Sequence, residues 1–120
     1  MIVETALFTV RDGDQALFSR TFASARRFIE TAKGFRKLEM HQGIEAPDTF
    51  ILIVWWETLE DHTVAFKESA NFTGWRAEIG HLFAAPPVVR HYAVDGPSGR
   101  QVLDDLRALA PDDRRQDQKL

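Results

Sequence analysis

The sequence predicts an α+β domain of the ferredoxin-like, split β-α-β type, in which a four-stranded antiparallel sheet carries its helices on one face. Two observations carry that prediction. The hydrophobic period alternates between strand and helix values in the order β-α-β-β-α-α-β, and right-handed crossovers put the helices of such a chain on one side of the sheet. A chain of 120 residues is also long enough to bury one core and short for two.

Residues 2–10, rich in β-branched and apolar types, form the first strand and run into the turn signal Asp12-Gly13-Asp14. Phe18, Phe22, Ala25 and Ile29 then recur at steps of four, three and four, which puts them on one face of a helix. Gly34 is expected to cap that helix in the left-handed conformation, after Lys33 in its last turn. A second strand covers roughly Phe35 to Ile44, and Glu45-Ala46-Pro47-Asp48 turns it back into a third strand, Phe50 to Trp56, to make a hairpin. Thr58-Leu59-Glu60-Asp61 fits a capping box that opens a second helix, on which His62 and Phe66 share a face. After a break at Ser69 to Asn71, the spacing of Phe72, Trp75, Ile79 and Leu82 predicts another amphipathic helix. Pro86-Pro87 forbids further helix and leads into the fourth strand, Val88 to Val94.

These elements assign residues 1–95 to the domain. Gly96-Pro97-Ser98-Gly99 reads as a linker to a short helix carrying Val102, Leu106 and Leu109, so 96–110 is expected to be linker and C-terminal helix. Residues 111–120 are nearly all polar and are expected to be a disordered tail.

The third strand sets the assembly. A sheet face meeting water would make it alternate, yet Phe50, Leu52, Val54 and Trp56 point one way while Ile51, Ile53 and Trp55 point the other. Both faces therefore need cover. The economical cover for the second is another copy of the same sheet, so a homodimer through the sheet face is expected. The first and fourth strands contribute less, because Thr5, Thr9, Arg90 and His91 interrupt them.

Composition narrows the function classes. The longest apolar run, Phe50 to Trp56, is far short of the roughly 20 residues a membrane helix needs, so no membrane association is expected. The start Met-Ile-Val-Glu does not read as a secretory signal, which makes the cytoplasm the expected location. A net charge of -3 with scattered cations lacks the footprint of a nucleic-acid binder, and the absence of cysteine removes thiolate and cysteine-metal chemistry.

No phosphate loop, nucleophile elbow or metal-ligand spacing is present among the motifs. What remains is a concentration of aromatics around one histidine, from Trp55 to Trp75. His62 is the candidate base or hydrogen-bond donor, and Phe66, Phe72 and Trp75 are candidate walls for a planar aromatic ligand, all four facing the space between helices and sheet. Each has a plainer reading. Phe72 and Ile79 at helical spacing suit a core, the Trp75 indole could meet a structural partner, and His62 could bond a strand carbonyl or stay at the helix surface. His81 and His91 read as structural or exposed, and the facing of His41 is open. Glu4 has a plausible inward position, while Glu57, Glu60 and Asp61 are most simply helix-start charges.

Gly34-Phe35, Pro47-Asp48 before an apolar strand, Trp56-Glu-Thr-Leu-Glu-Asp-His62, Phe66-Lys67, Ser69, Phe72, Trp75 and Pro87-Val-Val-Arg-His91-Tyr92 together resemble the antibiotic biosynthesis monooxygenase family over about residues 1–95. That resemblance implies a dimeric α/β barrel of ferredoxin-like subunits. Members of that family with known activities oxidise phenolic or polyketide-like aromatics without a cofactor or degrade haem, and many others have no assigned substrate. The helix histidine that ligates haem in the latter members corresponds to Trp75 or Arg76, neither an iron ligand, and their strand asparagine to Thr5 or Ala6; His81 is the remaining histidine on that helix. His62 and Ser69 match the family pattern, and Ser69 also suits a helix N-cap. The expected function is thus a monooxygenase needing no cofactor or metal, the alternative being a non-catalytic small-molecule binder or structural dimer.

Overall fold

In the computed structural model residues 1–94 are described; the expected linker, C-terminal helix and polar tail lie outside them. Alternation along two strands organises everything else. β1 (Ile2–Thr9) buries Ile2, Glu4, Ala6 and Phe8, and β3 (Thr49–Trp56) buries Phe50, Leu52, Val54 and Trp56, in register with Ile2 opposite Trp56 and Phe8 opposite Phe50. β2 (Phe35–Gln42) pairs with the free side of β3 and β4 (Val88–Ala93) with the free side of β1, giving the antiparallel order β2-β3-β1-β4 of the split β-α-β fold.

The helices cover the face on which those residues are buried. α1 (Gln15–Ala25) contributes Phe18, Phe22 and Ala25, and α2 (Arg27–Glu30) contributes Ile29. The stripe expected on one helix is therefore real but the helix is broken at Arg26, where the Ile29 amide bonds the Arg26 carbonyl in a tighter, three-residue step. The Asn71 amide side chain donates to the Phe28 carbonyl at 2.9 Å, tying this broken stretch to α3 (Ala70–Ile79). A single 3₁₀ turn, Gly80–Leu82, extends α3 and buries Leu82. Ser69 caps α3 as expected: its hydroxyl accepts from the Phe72 amide and donates to the Phe66 carbonyl.

The expected second helix takes another form. The Thr58 hydroxyl accepts from the Asp61 amide at 3.1 Å, as a capping box requires, but the segment it opens, Asp61–Phe66, is a wide π-helical turn. Asp61 does not complete the box. It is buried against Gly34, with Lys33 Nζ 3.6 Å from its carboxylate. Glu57 pairs with Arg36 on the surface.

The other sheet face is left half-open. Three cross-strand rows run over it: Lys37, Trp55, Val3 and Tyr92; Glu39, Ile53, Thr5 and Arg90; His41, Ile51, Leu7 and Val88. His41 thus faces outward, where its ring lies 3.0 Å from Glu39. Leu7, Val88 and Tyr92 are each 41–50% exposed, and on β3 Ile51, Ile53 and Trp55 are half-buried on the same face.

Gly34 adopts φ +81°, and a methyl group on it would fall on the Asp61 side chain. Gly34→Ala should therefore cost at least ~2 kcal/mol through left-handed strain and steric overlap. Thermal or urea unfolding measures this, and an unchanged midpoint would refute the close approach.

Candidate functional site

Register brings the polar groups together. Glu4 on β1 faces inward directly opposite His91 on β4, so both project from the same side of the sheet. The π-helical turn lowers His62 onto them. The His62 Nδ1 lies 2.8 Å from His91 Nε2, and its Nε2 lies 3.4 Å from Glu4 Oε1, longer than a good hydrogen bond. The Trp56 indole N–H donates to the same Glu4 oxygen at 2.9 Å, and the Trp56 ring stacks on His62 with centroids 5.4 Å apart. A continuous polar chain runs from the buried carboxyl through two imidazoles to the edge strand β4.

Burial decides how these groups titrate. Glu4 is 6% exposed, and desolvation pushes its carboxyl up to about 7, only partly opposed by the Trp56 hydrogen bond and the positive field of Lys67. His62 is pushed down to about 3 by its own burial, then by His91 and Lys67. His91 is lowered by burial and by Lys67. The imidazoles are therefore neutral at pH 7, and the proton of this cluster resides on or leaves from Glu4. When Glu4 is protonated it donates toward His62; when ionised it accepts from Trp56 and from His62, whose other nitrogen then accepts from His91.

A cavity of about 370 Å³ opens beside this cluster, within the range of small-molecule sites. Glu4 and His62 line its buried end, and the walls include all three aromatics expected there, Phe66, Phe72 and Trp75. Phe66 and Phe72 meet edge to face at 5.5 Å, and Trp75 stands at 89° to Phe22 behind it. The Trp75 indole N–H has no partner among the described residues, so it is not spent on the structural bond that was the alternative.

Sequence reasoning missed or underrated some of the site. Trp56 is legible in the sequence only as strand, yet its indole is the hydrogen-bond partner of Glu4. His91, expected to be structural or exposed, is half-buried and bonded to His62. The signal was present in principle: three residues from His91 to Val89 alternate around an outward Arg90, and Val89 also lines the cavity. Lys67 and Arg76 border the cavity as well.

The family model for antibiotic biosynthesis monooxygenases matches residues 1–78. The chain belongs to that family. A crystal structure from Bordetella bronchiseptica that carries the family's name is 41% identical, with a TM-score of 0.73 over 75% of this chain and 92% of that one. An uncharacterized protein of Bacillus subtilis, YczJ, is 30% identical over 92 residues, 77% of this chain and 97% of its own length. The fold extends to SnoaB of Streptomyces nogalater, described as a cofactor-independent oxygenase, at 17% identity and a TM-score of 0.66 over 80% of this chain and 94% of that one. Within the family's fold, the residues of α3 that line the cavity are Phe72, Trp75 and Arg76, none of them an iron ligand, and His81 is exposed outside it. His62 has both ring nitrogens against protein groups. The donor set does not fit axial haem ligation.

The raised Glu4 value has a stability consequence with a definite sign. Folding favours protonated Glu4, so its contribution is full below about 4.5 and is lost as pH rises through about 7. The lowered His62 value acts oppositely, its contribution lost as pH falls from 6.5 through about 3. Glu4→Gln keeps an acceptor for Trp56 and removes only the first effect. The variant should gain on wild type as pH rises from 5 to 8, by up to roughly 3 kcal/mol. Melting temperatures of both proteins across that range test this, and parallel curves would rule out a perturbed Glu4.

Proposed function

We propose that this family member is a monooxygenase that oxidises a hydroxylated aromatic to a quinone with dioxygen and no cofactor. One observation carries the reading: a carboxyl pushed up to about 7 and touching an imidazole forms the buried end of a cavity walled by aromatic rings. A general base works best with a value near the operating pH, and Glu4 has it where the ring walls would hold a phenol. The family name and the SnoaB likeness agree with the chemistry.

In this reaction the substrate supplies the electrons. The phenol hydroxyl gives its proton to the Glu4 carboxylate, and the phenolate ring carbon para or ortho to the oxygen becomes electron-rich enough to reduce dioxygen. A carbon–oxygen bond forms there, the carbon–hydrogen bond breaks, and the oxygen–oxygen bond cleaves, so hydroxyarene and dioxygen become quinone and water. His62 orients the Glu4 carboxyl and, with His91, shuttles its proton, which returns to the cleaved oxygen to complete the water. This gives His62 the part of donor and relay, since a nitrogen held at about 3 is a weak base. Phe66, Phe72 and Trp75 stack and orient the ring and keep water from the phenolate.

Oxygen uptake with a naphthol or naphthalenediol checks the assignment. Wild-type kcat/KM should rise with pH through about 7 and then level. Glu4→Gln should flatten that limb and lower kcat/KM by about 10²–10⁴-fold. A His62→Ala variant as fast as wild type would remove His62 from the mechanism.

We also propose that two copies pack sheet to sheet, because Ile51, Ile53 and Trp55 give the outer face a half-buried apolar centre that a second copy would cover by two-fold symmetry. Ile53 and Trp55 share that face. Ile53→Asp and Trp55→Asp should each give monomer or insoluble protein by light scattering; unchanged dimer mass for both would refute the assembly.

A further inference from the structure

The cavity is polarised along its length, and the far end has a chemistry of its own. Glu4 and His62 are 6% and 3% exposed, while Lys67 and Arg76 line the same space as exposed residues, so the cavity runs from a buried acid to an open, cationic rim. Each cation directly follows an aromatic wall residue, Phe66 or Trp75, on two successive helical segments. Both charges line the same space as the rings.

These cations are unspent. Arg26, Arg27, Lys33, Arg36 and Lys37 each pair with a carboxylate, as an acidic protein makes easy. Lys67 and Arg76 pair with none among the described residues, and neither do Arg11 and Arg20, but of these four Lys67 and Arg76 are the ones that line the cavity; Arg76 also overlies the Phe72 ring at 5.9 Å. The field of Lys67 reaches Glu4, His62 and His91, so its charge acts into the cavity.

Resting on the reading of Glu4 and His62 as the proton-accepting end, we infer that the ligand is an aromatic anion: a hydroxyarene carboxylate with its hydroxyl at Glu4 and its carboxylate at the rim, met by Lys67 and Arg76. A neutral polycycle would fill the walls but make no use of the two cations, which would stay in solvent at the rim. A ligand with its charge beside the hydroxyl would carry that charge to the Glu4 carboxyl, where burial and like charge both oppose it. The acid group and the hydroxyl must therefore lie at opposite ends of the ring system. The rim charge also attracts the anion during approach.

Calorimetric titration with matched probes tests this. 6-Hydroxy-2-naphthoate should bind roughly tenfold tighter than 2-naphthol at low salt, and high salt should shrink the difference. 3-Hydroxy-2-naphthoate, with its two groups adjacent, should show no such advantage. Lys67→Met combined with Arg76→Met, with folding checked by circular dichroism, should erase the preference, so that 6-hydroxy-2-naphthoate and 2-naphthol bind the variant alike. Equal affinity for 6-hydroxy-2-naphthoate and 2-naphthol, with 2-naphthol still oxidised, would overturn the anion inference and leave the oxygenase intact. Failure of every naphthol to bind would overturn both.

Discussion

The pleat of the central strand pair is the constraint on which the rest of the molecule depends. Because β1 and β3 hold one register from Ile2–Trp56 to Thr9–Thr49, every side chain on them is assigned to one face or the other. The inner assignment creates the core under the helices, and it also carries Glu4 into that core beside Val54. The outer assignment leaves Ile51, Ile53 and Trp55 half-covered. A slip of one residue would put Glu4 on the outer face and Thr5 under the helices, removing the buried carboxyl and the apolar outer centre together. Site and assembly surface are two consequences of one alternation.

Much of this was legible in the sequence because period-2 and period-3.6 patterns are direct records of which face is buried. The strands fell within a residue or two of their expected bounds, and Phe18, Phe22, Ala25 and Ile29 share a buried stripe although the backbone breaks at Arg26. The break was hidden because a tightened step of three residues leaves the stripe nearly in phase. The π-helical turn was hidden for a related reason: Thr58 and Asp61 give the same capping signal for a normal helix, and nothing in Asp61–Phe66 announces a wider turn. What does mark the start of the turn is tertiary: Asp61 is buried against Gly34, at the start of β2.

The site was less legible than the fold because its key pairings are long-range. His62, Phe66, Phe72 and Trp75 lie close in sequence and could be grouped by spacing, and they do line one cavity. Glu4, Trp56 and His91 join them through strand register, which fixes which of two faces a residue takes but announces itself only once pairings are known. His91 in particular sits between Arg90 and Tyr92 on an edge strand whose exposed residues resemble surface, so its inward turn follows from its pairing opposite Glu4.

A carboxyl at Glu4 is an expensive choice for a position whose inward neighbours are Ile2 and Ala6. An apolar residue there would remove the desolvation that lifts the carboxyl toward 7 and would not need Trp56 as a donor. Its partners do not neutralise it either: both imidazoles are themselves held neutral, so no buried cation repays the cost, and the Trp56 hydrogen bond and the field of Lys67 offset only part of it. Stability alone therefore does not account for Glu4. A group able to take and release a proton near neutrality, connected by His62 and His91 to the sheet edge and opening on a ring-walled space, is what the arrangement provides in return.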